Sequence, residues 1–287
     1  MKDEYVMGID NGGTVTKAAI YDRKGQVLAI ASKSTQMLTP REFHTERSID
    51  ELWAANVEVI KKAIAQSGID ASQIKGVAIT GHGNGLYLVD EEGHPVRNGI
   101  ISTDSRAKEY VERWQRSPEF LTDILPKTMQ SIWAGQPVAL LAWLKDLEPE
   151  TLQKARYIFM VKDLIRFYLT GEAFLELTDI SGTNLINVRD CQYDDELLAW
   201  WGLDELRDKL PPIKRSTECC GKITDDVARL TGLCAGTPVS GGVFDISASS
   251  IASGINSLDK MAIVTGTWSI NEYVTDHPVI DKDLFMT

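Results

Sequence analysis

The chain has 287 residues, of which 43% are hydrophobic, and this is enough to bury the core of one large domain or two. It carries 30 basic against 41 acidic residues, a net charge of −11, which argues against a nucleic-acid or anionic-membrane surface. The longest apolar run, residues 138–144, is too short to span a bilayer, and the acidic residues 1–4 are unlike a signal peptide. We therefore expect a cytoplasmic protein.

The cysteines and histidines of the chain do not have the spacing of a metal centre. Cys191, Cys219, Cys220 and Cys234 include one adjacent pair but no C-x-x-C, and only four histidines are present. Structural zinc sites draw their ligands from short, fixed spacings of these residues. The sequence therefore excludes the common zinc motifs and predicts free thiols.

The first residues predict three consecutive strands followed by a helix. The strands cover Tyr5–Ile9, Thr16–Tyr21 and Val27–Ser32, and the turns between them contain glycine. Ser48 and Glu51 have the spacing of a capping box, and apolar residues then recur at helical spacing up to a glycine at position 68. This pattern predicts a long amphipathic helix.

A buried-type strand over Lys75–Thr80 follows, and strand, helix and strand in this order predict an α/β domain. Residues 1–253 are predicted to form this domain, and the small polar segment 254–259 is typical of a linker. Residues 254–287 are too few to bury an independent core, so we expect the start of an incomplete second domain. The remaining predicted elements are four helices, a strand and a last helix: Ser105–Gln115, Val138–Leu147, Val161–Leu169, Thr224–Leu230, Pro238–Ser240 and Ile246–Ser253.

A glycine-rich turn follows the first strand. Its sequence is Asp10-Asn11-Gly12-Gly13-Thr14, and glycines here let the backbone N–H groups converge on phosphate oxygens. Asp10 would face the same site and could hold a hydrated Mg²⁺. The same residues also suit a type I′ hairpin turn, for which Asn-Gly is the favoured sequence. The sequence alone leaves both interpretations open.

An aspartate stands where a late apolar strand turns into a helix. Gly241 and Gly242 precede it, and small residues follow Asp245 as far as Gly254. One interpretation makes Asp245 the N-cap of the helix, and another makes it a general base that orients a hydroxyl and accepts its proton. A helix N-terminus favours the ionised carboxylate, so we expect a low pKa.

A second strand, turn and strand pattern lies near the end of the chain, with Gly266 and Thr267 in its turn. Two phosphate-sized turns with one aspartate between them indicate phosphoryl transfer to a hydroxyl group. The G-x-x-x-x-G-K-[ST] motif is absent, which excludes a P-loop.

Five further side chains could contact a polyol. Asp104 and Arg106 offer an acceptor and a forked donor suited to vicinal hydroxyls, although both also suit the start of a helix. His82 lies among glycines and could touch a hydroxyl, or could be a solvated loop histidine. Trp133 and Trp268 are flat surfaces for the C–H face of a sugar, with core packing as the alternative.

Taken together and in this order, the motifs resemble the FGGY family of carbohydrate kinases, of the actin/hexokinase/Hsp70 superfamily. Residues 10–17 are similar to the first phosphate loop, 241–245 to the strand that bears the catalytic aspartate, and 266–267 to the second phosphate loop. Residues 162–171 and 177–183 are also typical of the first domain. The resemblance implies a ribonuclease H-like α/β domain with a mixed central sheet flanked by helices, and a second, truncated copy.

The resemblance also implies roles for individual residues. Asp245 would be the catalytic base and a substrate contact, beside His82, Asp104, Arg106 and Trp133. Residues 81–85, 102–107 and 133–138 are most similar to the L-xylulose kinase branch, which favours a ketopentose or related polyol as substrate. ATP would be the phosphoryl donor and Mg²⁺ would bind Asp10. The nucleotide contacts would be Asp10, Gly12, Gly13, Thr14, Thr16, Lys17, Gly266 and Thr267.

Two other functions stay open at this point. The chain could be a sugar-binding module that does not phosphorylate, or an actin- or Hsp70-like ATPase that needs no sugar, which the polar residues 81–106 make less favourable. Family members are longer than this chain, so we expect sugar binding with little turnover. We expect a small-molecule partner and no nucleic acid or membrane partner, with a homodimer as a further expectation.

Overall fold

The computed structural model describes residues 3–265 and 269–283. Of the seventeen strands in the described residues, seven belong to one sheet and the other ten form short two-stranded pairs. In chain order the strands are β1 (Tyr5–Asn11), β2 (Val15–Asp22), β3 (Val27–Ser34), β4 (Glu46–Arg47), β5 (Ile74–Gly81), β6 (Tyr87–Val89), β7 (Gly99–Ile100), β8 (Tyr157–Phe159), β9 (Leu175–Glu176), β10 (Ile186–Asn187), β11 (Gln192–Tyr193), β12 (Ile213–Lys214), β13 (Cys219–Lys222), β14 (Pro238–Ser240), β15 (Val243–Phe244), β16 (Met261–Thr265) and β17 (Ser269–Tyr273).

The α-helices lie between the strands and cover the sheet. They are α1 (Ile49–Ser67), α2 (Lys108–Gln115), α3 (Leu125–Thr128), α4 (Pro137–Leu147), α5 (Pro149–Lys154), α6 (Val161–Thr170), α7 (Leu177–Ile180), α8 (Asp195–Trp201), α9 (Asp225–Thr231) and α10 (Asp245–Ala252). Among the described residues, none of these helices is both long and apolar enough to cross a membrane.

The main sheet has seven strands in the order β13-β14-β5-β1-β2-β3, with β15 also paired to β5. β1, β2 and β3 are antiparallel neighbours, whereas β1, β14 and β15 each run parallel to β5. The parallel strands require crossover segments, and the long connections that contain α1 and α6 supply them. This mixed sheet with helices confirms the predicted fold class.

Helix α1 forms for the reasons that its sequence indicates. The Ser48 hydroxyl accepts the N–H of Glu51 at 3.2 Å, and Gly68 ends the helix with φ +68°. Leu52, Val59 and other apolar residues on one face are buried against β2 and β3. The capping box is only half formed, because the Glu51 carboxylate accepts the N–H of Gln36 instead of capping the helix start.

The predicted elements agree with the structure apart from shifts of a few residues at their ends. The exception with consequences is the last helix, which begins at Asp245 and not at Ile246. Residues 255–260 contain neither helix nor strand, and β16 pairs with β17 as a separate antiparallel hairpin. The predicted phosphate loop at Gly266 and Thr267, with Trp268, lies outside the described residues.

Candidate active site

The candidate site lies at the carboxyl ends of three parallel strands of the main sheet, which we call the sheet edge. Asn11 of β1 and Phe244 of β15 both pair with Gly81, the last residue of β5. Ligands of open α/β sheets bind at the carboxyl ends of such strands. Asp10 precedes this edge on β1, and Asp245 follows it directly, so the fold brings the two carboxylates to the same end of the sheet.

Two glycines let β15 approach this edge closely. Gly242 has φ +79°, and a Cβ there would collide with the carbonyl oxygen of Ile79 in β5. Gly83, beyond the end of β5, packs under the ring of Phe244 where a Cβ would overlap the ring atoms. The strand that carries Asp245 is therefore seated between β5 and the loop that carries His82.

Asp245 is the first residue of α10, and its side chain does not cap the helix; Phe244 stands at the cap position. The pKa of Asp245 is raised to about 7, chiefly by burial; a hydrogen bond from the Ile246 N–H opposes the rise, and the neighbouring carboxylate of Asp10 adds to it. The expectation of a low pKa is therefore wrong. Loss of solvent outweighs the favourable field of the helix N-terminus at this position.

The glycine-rich loop after β1 is held from its buried side by Arg47. The Arg47 guanidinium donates to the carbonyl oxygens of Gly12 at 3.2 Å and Gly13 at 2.8 Å, and to the Thr35 hydroxyl at 2.6 Å. A trans peptide directs each N–H opposite to the preceding carbonyl, so the N–H groups of Gly13 and Thr14 point away from Arg47. Neither glycine has a positive φ, and this excludes the type I′ turn.

Asp10 and Lys17 face each other across β1 and β2. Their charged atoms are 3.6 Å apart, and the side chains are 35% and 53% exposed. Burial raises the pKa of Asp10, and the Lys17 ammonium acts in the opposite direction. This end of the site is thus open to solvent, with an anion and a cation beside the loop amides.

Thr16 does not belong to this open surface. Its side chain is fully buried, and its hydroxyl donates to the Asn11 side-chain oxygen at 3.3 Å. The Asn56 amide donates to the same oxygen at 2.8 Å. In this structure the polar atom of Thr16 serves the base of the loop, and its contact with a nucleotide stays a prediction.

His82 is a buried histidine and not a solvated one. Its Nε2 lies 3.0 Å from the Tyr87 hydroxyl, and its Nδ1 lies 3.3 Å from the Gly83 carbonyl oxygen. Burial, followed by the charge of Arg47, lowers the pKa of His82 to about 3, so the ring is neutral at pH 7. A neutral imidazole offers one donor and one acceptor.

Trp133 lies on a loop that is bonded to the His82 loop. The N–H of Gly85 donates to the Gly135 carbonyl at 3.0 Å, and the Trp133 N–H donates to the Gln136 side chain at 3.0 Å. The indole is half-buried. His82, Trp133 and Asp245 are thus carried by segments in direct contact or linked by backbone hydrogen bonds.

Asp104 and Arg106 are not presented to a ligand in this way. Arg106 donates to both oxygens of Asp104 and to Glu46 at 2.8–2.9 Å, and the Arg106 and Asp104 side chains are almost fully buried. The Asp104 carboxylate also accepts the N–H of Thr45 at 2.6 Å. In this structure the two side chains bind each other and fix the segment around Glu46, and their contact with vicinal hydroxyls stays a prediction.

Sequence reasoning missed a buried ion cluster behind β15. The Lys162 ammonium, fully buried, lies 3.0–3.3 Å from carboxylate oxygens of Asp163, Glu176 and Asp179. Arg166 donates to Asp163 at 2.7 Å and to the Gly241 carbonyl at 2.8 Å. Burial raises the pKa of Asp179 to about 7. A signal was present, because Lys162, Asp163 and Arg166 interrupt an apolar helix.

This cluster supports the strand that leads to Asp245. The Glu176 carboxylate accepts the Thr178 hydroxyl at 2.6 Å, and the Thr178 oxygen accepts the N–H of Phe244 at 2.9 Å. A charge network without solvent is rigid when its members satisfy one another. The position of Asp245 is therefore set through Phe244 and Gly241.

Known proteins match this chain along most of its length. It is 40% identical to "Probable L-xylulose kinase" of Pasteurella multocida over 95% of the chain and 56% of that protein. It is also 40% identical to "L-xylulose/3-keto-L-gulonate kinase" of Escherichia coli, over 95% of the chain and 54% of that protein. The chain thus spans about half the length of the curated relatives it matches.

Solved structures show the same fold. A ligand-bound xylulose kinase from Lactobacillus acidophilus matches with a TM-score of 0.88 at 24% identity, over 96% of this chain and 55% of that one. Gluconate kinase from the same organism matches with a TM-score of 0.89 at 23% identity, over 99% and 58%. Residues 5–252 match the N-terminal domain of the FGGY family of carbohydrate kinases. The chain belongs to the FGGY family of carbohydrate kinases.

Proposed function

We propose that this chain supplies the sugar-binding and catalytic-base part of an ATP-dependent kinase that phosphorylates a hydroxyl of a ketopentose or related polyol. The observation that carries the proposal is the pair of carboxylates at one sheet edge. Asp245 is half-buried directly after Phe244, whose ring packs on Gly83 next to His82, and Asp10 is 35% exposed beside Lys17 and the glycine-rich loop. One end of the site thus suits a neutral polyol and the other suits phosphate.

Asp245 is proposed as the general base. A carboxylate with a pKa of about 7 is matched to proton transfer near neutral pH, whereas an ordinary aspartate would be a weak base there. As the hydroxyl oxygen of the sugar attacks the terminal phosphorus of ATP, its proton passes to the Asp245 carboxylate. The P–O bond to the leaving ADP breaks in the same displacement.

The N–H groups of Gly13 and Thr14 are proposed to bind phosphate oxygens, with Lys17 as a nearby cation. The carboxylate oxygens of Asp10 are suitable hard ligands for Mg²⁺, and their partial exposure leaves room for its hydration shell. Mg²⁺ bound there would neutralise charge on the transferring phosphoryl group. Gly266 and Thr267 remain proposed contacts on the same side.

His82 and Trp133 are proposed to bind the sugar. A sugar hydroxyl would take the place of the Tyr87 hydroxyl or the Gly83 carbonyl on the neutral ring of His82, without the cost of burying a charge. The half-buried face of Trp133 offers a surface for the C–H groups of a sugar. The names of the relatives favour an L-xylulose-like ketopentose as substrate.

We further propose that residues 1–253 are the sugar-binding and catalytic-base domain and that residues 254–287 begin a nucleotide-binding domain. The turn at Gly254, with φ +79°, and the irregular segment that follows it support a boundary there. A homodimer, the lack of a nucleic-acid partner and a cytoplasmic setting stay predictions from the sequence.

The test is titration calorimetry of the chain with L-xylulose, D-xylulose, glycerol and xylitol, beside a coupled assay of ADP release. We expect one ketopentose to bind more tightly than glycerol, and binding to weaken in His82→Ala. ADP release that requires the sugar supports the kinase, and sugar binding without ADP release supports a binding module. ADP release that is independent of sugar would contradict both.

A further inference from the structure

A second cavity lies away from the sheet edge. Its volume is about 500 Å³, within the ordinary range for small-molecule sites. It is bounded by the β10–β11 hairpin on one side and by residues 210–218 on the other. None of the residues assigned to the sugar or the phosphate side of the active site lines it.

Three cations border this cavity: Arg207, Lys214 and Arg215. The Arg207 guanidinium lies 4.3 Å from the centre of the Tyr193 ring, and the Lys214 ammonium lies 4.8 Å from the centre of the Phe174 ring. Stacking on aromatic faces orients both cations while their N–H groups stay free to bind other groups.

The acidic partners of these cations are weak. Arg207 is 3.7 Å from Asp195 and Lys214 is 3.6 Å from Glu218, in pairs of partly exposed side chains. Arg215 is exposed and makes no ion pair within 4 Å in the described part of the chain. Exposed pairs of this length contribute little, so a multiply charged anion would displace them readily.

The rest of the lining is mixed. Leu177, Leu210, Pro212 and Ile213 form an apolar wall, and the carboxylates of Asp190 and Glu218 lie among the polar residues Cys191, Gln192 and Tyr193. The Tyr193 hydroxyl donates to the Pro211 carbonyl at 2.7 Å, and this bond fixes one wall against the other. An inorganic anion, which has no organic group, would leave this apolar wall exposed to water. The combination suits an anion that carries an organic body.

We propose that this cavity binds a small organic phosphate, with the phosphate between Arg207, Lys214 and Arg215 and the organic body against the apolar wall. Guanidinium and ammonium groups recognise phosphate through charge-assisted hydrogen bonds. A monophosphate of a sugar or a nucleoside has the required dianion and fits the volume. The binding itself does not depend on the function proposed above.

The cavity wall is bonded to the strand that leads to Asp245. The N–H of Gly241 donates to the Glu218 carbonyl at 2.9 Å, and the N–H of Gly242 donates to the Ser216 carbonyl at 3.1 Å. The Ser216 hydroxyl also donates to Glu176 at 2.7 Å, in the cluster behind β15. An occupant that pulls Arg215 inward would therefore change the affinity of the sugar site, and this consequence rests on the proposed function.

The binding test is calorimetry of the chain with ribose 5-phosphate, AMP and inorganic phosphate. The cavity variant carries Arg207→Gln, Lys214→Gln and Arg215→Gln. The matched control carries Lys61→Gln, Lys108→Gln and Arg116→Gln, of which Lys108 and Arg116 pair with Glu112 at 3.6 and 3.7 Å. Circular dichroism and thermal melting establish that both variants are folded.

We expect an organic phosphate to bind more tightly than inorganic phosphate and the cavity variant to weaken it about tenfold or more, with the control unchanged. The difference in affinity between AMP and ribose 5-phosphate shows which organic group packs better against the apolar wall. No binding up to about 10 mM, or equal binding by the cavity variant, would overturn the site. Inorganic phosphate binding as tightly as both organic phosphates would overturn the role of the apolar wall.

Cys191 gives a local readout, because this exposed thiol lines the cavity, whereas the exposed thiol of Cys219 does not. The rate of iodoacetamide labelling at each cysteine is measured by peptide mass spectrometry with and without the organic phosphate. Slower labelling of Cys191 alone supports occupation of the cavity. Unchanged labelling of Cys191 at saturating ligand would place the ligand elsewhere and contradict the proposal.

Discussion

Asp10 and Asp245 stand at the same edge of the same sheet and differ in what surrounds them. Asp10 is 35% exposed and has the Lys17 ammonium 3.6 Å away, which opposes the rise in its pKa. Asp245 has no cation among the causes of its shift, and burial brings its pKa to about 7. The pair therefore offers a carboxylate suited to a metal ion beside one suited to a proton.

Neither the residue type nor the position at the end of a strand therefore decides the role of a carboxylate. Two carboxylates divide acid–base and electrostatic duties when their environments separate their pKa values. Both aspartates are partly exposed, so the separating factors are the Lys17 ammonium beside Asp10 and the close fit of β15 against Gly83. The predictions below alter one side of this comparison at a time.

The largest effect is expected for Asp245→Asn. It removes the proton acceptor and keeps the shape of the side chain. In an enzyme that joins this chain to a complete nucleotide-binding domain, sugar-dependent ADP release should therefore fall by a factor of about 10²–10⁴. Sugar affinity by calorimetry should change little. Turnover close to that of the unaltered protein would remove the role of base from Asp245.

Lys162→Met should destabilise the support of β15. The substitution leaves Asp163, Glu176 and Asp179 buried without their shared cation, which costs about 3–5 kcal/mol of unfolding free energy. Urea unfolding followed by fluorescence measures the loss. Lys62→Met, which breaks an exposed pair with Glu58, is the control and should cost less than about 1 kcal/mol. Equal losses in the two variants would contradict the role of the cluster.

Asp10→Asn tests the other carboxylate. ADP release at limiting Mg²⁺ should fall about 10²-fold, because a hard oxygen ligand and its charge are lost. Sugar binding should be retained, and the pKa of Asp245 should fall, since the Asp10 charge helps to raise it. If the rate of ADP release depended on Mg²⁺ as in the unaltered protein, the assignment of Mg²⁺ to Asp10 would be wrong.

A smaller effect concerns stability in acid. His82 has a folded pKa of about 3 against an ordinary value of 6.5, so the unfolded chain binds its proton first as the pH falls. This one group should cost about 2 kcal/mol of unfolding free energy between pH 7 and pH 5. His82→Gln should show a correspondingly smaller loss over that range in urea unfolding. Equal losses in both proteins would mean that His82 is protonated when folded.

Local patterns in the sequence were enough to predict the elements and the edge of the sheet. Ser48 caps α1, Gly68 ends it, and strand β14 has the predicted bounds, because caps, breakers and apolar periodicity act over a few residues. The glycine-rich turn and Asp245 also lie at the ends of the strands that carry them. These features needed no knowledge of distant contacts.

The contacts that the sequence did not predict depend on partners far away in the chain. Arg106 reaches Glu46, sixty positions earlier, and the Thr16 hydroxyl faces inward because β2 places it beside Asn11. The pKa of Asp245 follows from burial that only the packed structure creates. Sequence patterns name the polar groups available, but the fold decides which of them remain free for a ligand.

The most direct test of the account is the ionisation of Asp245 itself. Carbon-13 NMR of aspartate-labelled chain, titrated between pH 3 and pH 9 beside Asp245→Asn, isolates its carboxyl signal from that of Asp179, whose pKa is also about 7. We predict a carboxyl signal whose titration midpoint lies near pH 7 and which is absent from Asp245→Asn. A midpoint near the ordinary value of about 4 would contradict the account.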